Sequence, residues 1–235
     1  MKPAYGKQLH DLASLSFWLT IANYSLFFLF NRMLTENQHS HDQSSSDPTR
    51  ILRGNSTYRD YAALPESTPY ELIEGELVMT PSPTPGHQRV AKKISYAFIR
   101  YIEGKGLGEV FFAPIDVYLD DHNTVVPDIL VLKQGNTARA EAKLIRGTPD
   151  FIVEVLSPSN PDNDLTRKKR LYARFGVQEY WVADPVRKNI RAFWNANREL
   201  ELRETVEAPV QIESELFPGL RLDPGTIFDS GLTKL

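Results

Sequence analysis

The segment Asp150–Ser159, DFIVEVLSPS, has the apolar pattern of a buried strand with one carboxylate, Glu154, in its middle. Side chains alternate across a strand. Phe151, Val153 and Val155 therefore share one face, and Ile152, Glu154 and Leu156 share the other. TVVPDILVLK repeats the arrangement, with Asp128 on the face of Leu130 and Leu132. Upstream, YRDYAALP predicts a short helix ending before Pro65, and YELIEGELVMTPSP predicts two strands around Glu74-Gly75. In PGHQRVAKKISYAFIRYIEGKG, Val90, Ile94, Ala97, Phe98 and Tyr101 recur at helical spacing and the run closes on glycine. GEVFFAPIDVYLDD reads as strands, and residues 133–149 as a polar connection with room for a helical turn. NDLTRKKRLYARFG reads as a helix with Asp162–Asp164 at its start and Gly176 at its end. QEYWVADP, NIRAFWNA and ELELRETV read as strands, followed by an irregular tail. Helices interleaved with strands in this order describe a mixed α/β or α+β domain.

This domain is expected over residues 58–235. Before it, residues 35–57 are rich in Ser, Asn, Gln and His, a solvated linker by composition. His39 and His41 lie in that tract, where solvation is the expectation ahead of metal ligation. Residues 1–34 form an apolar segment, uncharged from Leu12 to Asn31. Twenty such residues can cross a bilayer as a helix, although Ser14, Ser16, Thr20, Asn23 and Ser25 dilute them. Three readings stand open: an upstream extension ahead of a true start at Met33, a membrane anchor, and a partner-binding helix. No A-x-A-like cleavage site follows the run, which argues against a signal peptide.

Composition narrows the chemistry. At 235 residues, 41% hydrophobic and 24% charged, the chain is long enough for a sizeable core. The absence of cysteine excludes disulfides, thiolate catalysis and Cys-based zinc sites, and the expected compartment is cytoplasmic, with a membrane tether only if residues 12–31 are an anchor. A net charge of -3 gives no global nucleic-acid signature, so any such binding needs a local basic patch.

An unpaired carboxylate inside an apolar strand is costly. If the strands of Asp128 and Glu154 pair, the two acids come close together. A hard divalent cation such as Mg²⁺ then removes their repulsion, since it binds well to one or two carboxylates plus waters. The other reading makes Asp128 a turn cap and leaves Glu154 on an exposed edge. In the following helix Asp164, Lys168 and Tyr172 are spaced i, i+4, i+8 and line one stripe. That stripe is either a cation brought beside the acids or a solvated basic face.

Pro127-Asp128, the acid of DFIVEVLSPS, the D…K…Y helix and GVQEYWVADP together resemble the PD-(D/E)xK restriction-endonuclease-like superfamily, and within it the Uma-two family of bacterial endonucleases. The resemblance spans roughly residues 58–228. It implies a restriction-endonuclease-like core, a central mixed sheet flanked by helices. It implies a site for Mg²⁺ or Mn²⁺ on Asp128 and Glu154, and hydrolysis of nucleic-acid phosphodiesters, DNA before RNA. Glu74 becomes a candidate accessory acid and His87 a positioning residue; alternatively Glu74 serves only the hairpin turn and His87 only the helix start. One departure stands out. The superfamily lysine falls two residues after the strand acid, where this chain has Leu156. Lys168 on the helix is the expected replacement, with Lys169 its competitor. A homodimer is a further expectation, because cutting both strands takes two sites. The contrasting function is a non-catalytic module that keeps the fold and binds nucleic acid or protein.

Overall fold

A computed structural model describes residues 55–65, 68–157 and 163–229. The apolar N-terminal segment, the linker up to residue 54 with its histidines, and residues 158–162 lie outside the described residues. Among the described residues no helix is long and apolar enough to cross a membrane.

The elements follow the sequence pattern closely. Helix α1 (Tyr58–Ala62) leads into the hairpin of β1 (Tyr70–Ile73) and β2 (Glu76–Met79). Glu74 and Gly75 take left-handed φ values of 54° and 75°, which suits the right-handed twist of a two-residue hairpin turn. Helix α2 (Pro85–Ile102) begins at Thr84, whose side chain accepts from the His87 N–H, and carries proline in its first turn. It buries Val90, Ile94, Phe98 and Ile102, one residue per turn. Strands β3 (Gly108–Phe112) and β4 (Asp116–Asp120) come next, then β5 (Asn123–Val125) and β6 (Ile129–Lys133).

The run TVVPDILVLK is thus two strands. Pro127 has no N–H to offer a ladder, and at this point the chain leaves one sheet and enters another. Residues 133–149 also depart from expectation. They contribute two short strands, β7 (Arg139–Ala140) and β8 (Leu144–Arg146), at a sheet edge, where exposed polar residues mask the strand pattern. Strand β9 (Phe151–Val155) precedes a single π-helical turn, Asn163–Lys168, which continues as α3 (Lys169–Phe175) and ends at Gly176 with φ 90°. Strands β10 (Glu179–Asp184), β11 (Asn189–Ala196) and β12 (Glu199–Glu207) complete the larger elements. The tail expected to be irregular forms a small ladder, β13 (Ile212–Glu213) with β14 (Arg221–Leu222), and a helical turn α4 (Pro224–Phe228).

The fold is mixed α+β, with two six-stranded sheets. The first has the order β2-β1-β5-β4-β8-β7 and the second β12-β11-β10-β9-β6-β3. Parallel pairing occurs at β4-β8 and β9-β10, so both sheets are mixed. The second sheet is the expected central one. One of its faces carries α2, where Phe98, Phe151 and Trp181 meet with ring centroids 5.1–5.8 Å apart. Its other face packs against the first sheet and α3 through Leu130, Ile152, Leu171, Tyr180 and Val182. The alternation read from β9 holds: Phe151, Val153 and Val155 belong to the α2 side, and Ile152 and Leu156 to the opposite side.

Candidate active site

Glu154 is on that opposite face, 3% exposed in a layer of apolar side chains, so something must compensate its charge. Strands β6 and β9 are antiparallel with Ile129 opposite Val153, which puts Asp128, one residue ahead of β6, across from Glu154. The two acids are laced through the backbone: the Asp128 N–H donates to Glu154 Oε2 at 3.2 Å, and the Val155 N–H donates to Asp128 Oδ2 at 2.7 Å. The positive partner of Glu154 is Lys168. Its Nζ donates to Glu154 Oε1 at 3.0 Å, and Tyr172 donates its hydroxyl proton to the same oxygen at 2.7 Å. The Asp164–Lys168–Tyr172 stripe therefore faces the acids, with Lys168 Nζ also 3.7 Å from Asp164 Oδ1. Lys169, the competing lysine, lies with its Nζ 5.0 Å from the Phe193 ring centroid. Leu156 is buried in the apolar layer.

The first sheet supplies a residue that sequence reading passed over. Glu71 in β1 is fully buried, 2.9 Å from Lys168 Nζ through Oε1, and that oxygen accepts from the Val126 N–H at 2.8 Å. Its Oε2 is buried with no hydrogen-bond partner. Glu74, the candidate accessory acid of YELIEGELV, sits in the hairpin turn, exposed and 3.2 Å from Arg174. The signal for Glu71 was present. It is an acid flanked by Tyr70 and Leu72 in a strand, the same anomaly that marks Glu154. Arg167 fixes the hairpin against the π turn by donating to the Ile73 carbonyl at 2.7 Å and to Glu76 at 2.9 Å, which holds Glu71 over Lys168.

His87 comes from the first turn of α2. Its Nε2 lies 3.0 Å from Asp128 Oδ2, while Nδ1 is buried without a partner. The structure thus brings Asp128, Glu154, Lys168 and His87 together, adds Glu71, Asp164 and Tyr172, and leaves Glu74 outside.

The electrostatics reflect an excess of acid. Burial, and then the neighbouring acids against the pull of Lys168, push the Glu154 carboxyl well above the usual carboxylate range. The same balance lifts Asp164 to about 7. Burial works against the Lys168 ammonium, but Glu154, Glu71 and Asp164 outweigh it and raise its pKa well above that of a free lysine. Burial likewise opposes a charged His87, and its bond to Asp128 more than compensates, leaving its pKa raised.

Among the described residues no three His, Asp or Glu side chains form a ready-made metal cage. Hard oxygen donors with spare capacity are nonetheless present. Glu71 Oε2 has no partner, and Asp128 places both of its contacts on Oδ2, leaving Oδ1 without one among the described residues. A small set of carboxylates with water completing the shell is the usual provision for Mg²⁺, and the acid excess would be relieved by a dication. The donor set fits such an ion.

Residues 57–225 match the Uma2 family, described as "Putative restriction endonuclease". The chain belongs to the Uma2 family. The Uma2 region contains every residue of the cluster. A crystal structure from Anabaena variabilis ATCC 29413, described as "a putative nuclease belonging to DUF820", superposes with a TM-score of 0.62 and 24% identity over 73% of this chain and 97% of that one. At that identity the likeness bears on the fold. No curated protein matches the chain.

Proposed function

We propose that this Uma2 chain is a metal-dependent endonuclease that hydrolyses phosphodiester bonds of DNA at the Asp128–Glu154 site. The observation that carries the reading is the meeting of Asp128, Glu154 and Lys168 from three separate elements in one acid-rich cluster. Asp128 and Glu154 are the ligands for Mg²⁺ or Mn²⁺, with Glu71 Oε2 within the same group of acids. When bound, such an ion polarises the attacking water and offsets charge on the leaving oxygen. The protein's own groups do the rest. Tyr172 and Lys168 fix one oxygen of Glu154, leaving the other turned to Asp128. His87 and the Val155 N–H fix Asp128. Lys168 brings the cation that the strand position, Leu156, does not supply, and its ammonium can stabilise charge on the non-bridging phosphate oxygens. Cutting both strands would use two copies of the chain.

A second reading, a binding module that keeps the fold without cleavage, is favoured by the burial of Lys168, 4% exposed and matched by three carboxylates. One experiment separates the two. The full chain is incubated with DNA and Mg²⁺ or Mn²⁺, beside the same mixture with chelator and beside Asp128→Ala. Cleavage lost in both controls supports the enzyme. Cleavage by Asp128→Ala equal to the parent protein, or none by the parent with either metal, rejects it.

A further inference from the structure

Helix α2 reaches the site with its first turn and continues away from it with a charged outer face. Its 18 residues contain Arg89, Lys92, Lys93 and Arg100 and no acid, on a chain whose net charge is -3. Arg89, Lys92, Tyr96 and Arg100 are spaced i, i+3, i+7, i+11, which places them on one stripe, and all four are exposed. The opposite stripe, Val90, Ile94, Phe98 and Ile102, is the buried one.

These cations lack the carboxylate partners that six arginines have elsewhere on the molecule. Arg146, Arg167, Arg174, Arg191, Arg203 and Arg221 each lie within ion-pair distance of a carboxylate. Among the described residues Arg89 and Lys92 have no ion pair or hydrogen bond, and Arg100 has only the Tyr96 ring, 5.7 Å from its guanidinium carbon. Lys93 belongs to the fold, since its Nζ donates to the Thr226 and Asp229 carbonyls at 2.7 and 2.6 Å. An acid-free row of unpaired cations is complementary in charge to a polyanion.

We infer that the Arg89–Lys92–Tyr96–Arg100 face of α2 is a docking surface for the phosphate backbone of duplex DNA. The choice of ligand rests on the nuclease reading above. At about 1.5 Å per residue the stripe is about 16 Å long, or roughly five base-pair steps of a duplex at ~3.4 Å each. An unpaired strand is held by successive aromatic platforms, and this stripe offers a single aromatic ring, Tyr96. Because His87 on the same rigid helix touches Asp128, DNA held along the stripe has a fixed position relative to the site.

The test is Arg89→Ala/Lys92→Ala/Arg100→Ala in the full chain. All three side chains are exposed, and a melting curve checks that the fold is kept. Binding of a short fluorescent duplex is measured by anisotropy in chelator, across a salt series. Each phosphate contact contributes about 0.9 to the slope of log K against log salt. The variant is therefore expected to lose about 2.7 from that slope, with an affinity loss of roughly tenfold or more at moderate salt. An unchanged slope and affinity overturns the inference. So does a parent protein that ignores the duplex, or one in which the three substitutions weaken only a single strand or RNA of the same length. Because binding is read without metal, failure of cleavage rejects the hydrolytic reading alone, and unchanged duplex binding rejects the stripe alone.

Discussion

Replacing Lys168 by methionine keeps most of the side-chain volume and removes its charge. Nζ stands 2.9 Å from Glu71, 3.0 Å from Glu154 and 3.7 Å from Asp164. The variant leaves three acids facing one another in a buried setting. Removing one partner of a buried ionic group costs about 3–5 kcal/mol, which for a domain of this size is roughly 6–20 °C in Tm. The loss depends on pH in a definite direction. Lys168 lowers the pKa of Glu154 and Asp164, so without it both rise further. At low pH Glu154 and Asp164 are protonated in either protein and the deficit is small. It grows as pH climbs past the Asp164 value of about 7. A divalent cation should restore stability, by about 2.7 kcal/mol at a hundred times its Kd, and more in the variant than in the parent. The assay is urea or thermal unfolding of both proteins at about pH 5 and about pH 8, with and without Mg²⁺. A variant as stable as the parent at the higher pH without metal, or a deficit equal at both pH values, refutes the charge balance described for this cluster.

Two further outcomes follow from the same geometry. Glu71→Gln should lower turnover roughly 10²-fold while the protein stays folded, as for loss of a group that positions a transition-state donor; Glu74→Asn, in a left-handed turn position that tolerates asparagine, should leave turnover unchanged and stability within about 1 kcal/mol. If single-turnover rates rank the two variants the other way, the accessory acid is in the turn after all. Asp164 has a folded pKa raised to about 7 from the ordinary 3.8, so its favourable contribution is complete below about 3.8 and is lost as pH rises through about 7. Asp164→Asn should flatten the fall in the metal-free urea midpoint over that window, and an identical fall in both proteins would show that Asp164 is not its source.

The parts of the fold legible in the sequence were those where one rule acts alone. Period-two alternation sorted β9 onto its two faces and isolated Glu154, and helical spacing put Lys168 on the stripe with Asp164 and Tyr172. Glu71 shows the same anomaly in β1, whereas the accessory acid that the family resemblance implies falls on Glu74, in the turn that follows. Two features depend on partners far away in the chain, which local periodicity does not encode. One is the transfer between sheets at Pro127. The other is the short pairing of β7 and β8, whose residues are half polar because one edge faces solvent. The identity of Glu154's cation was likewise a matter of distance. Spacing alone pointed to a metal ion as the partner of Glu154, and the structure places the Lys168 ammonium on it.

The joint at Lys168 also bears on how such a chain can change over generations. Glu71 belongs to one sheet and Glu154 to the other, and a single ammonium ties them together. The residues of the candidate site are thus also a rivet between the two sheets. A descendant with no further need of the site's chemistry would still unfold more readily on losing any one of the three. Selection for a folded chain would therefore retain the acids and the lysine after selection for the site's chemistry had ceased, while Asp128 and His87, which stand outside the rivet, would be the first to drift.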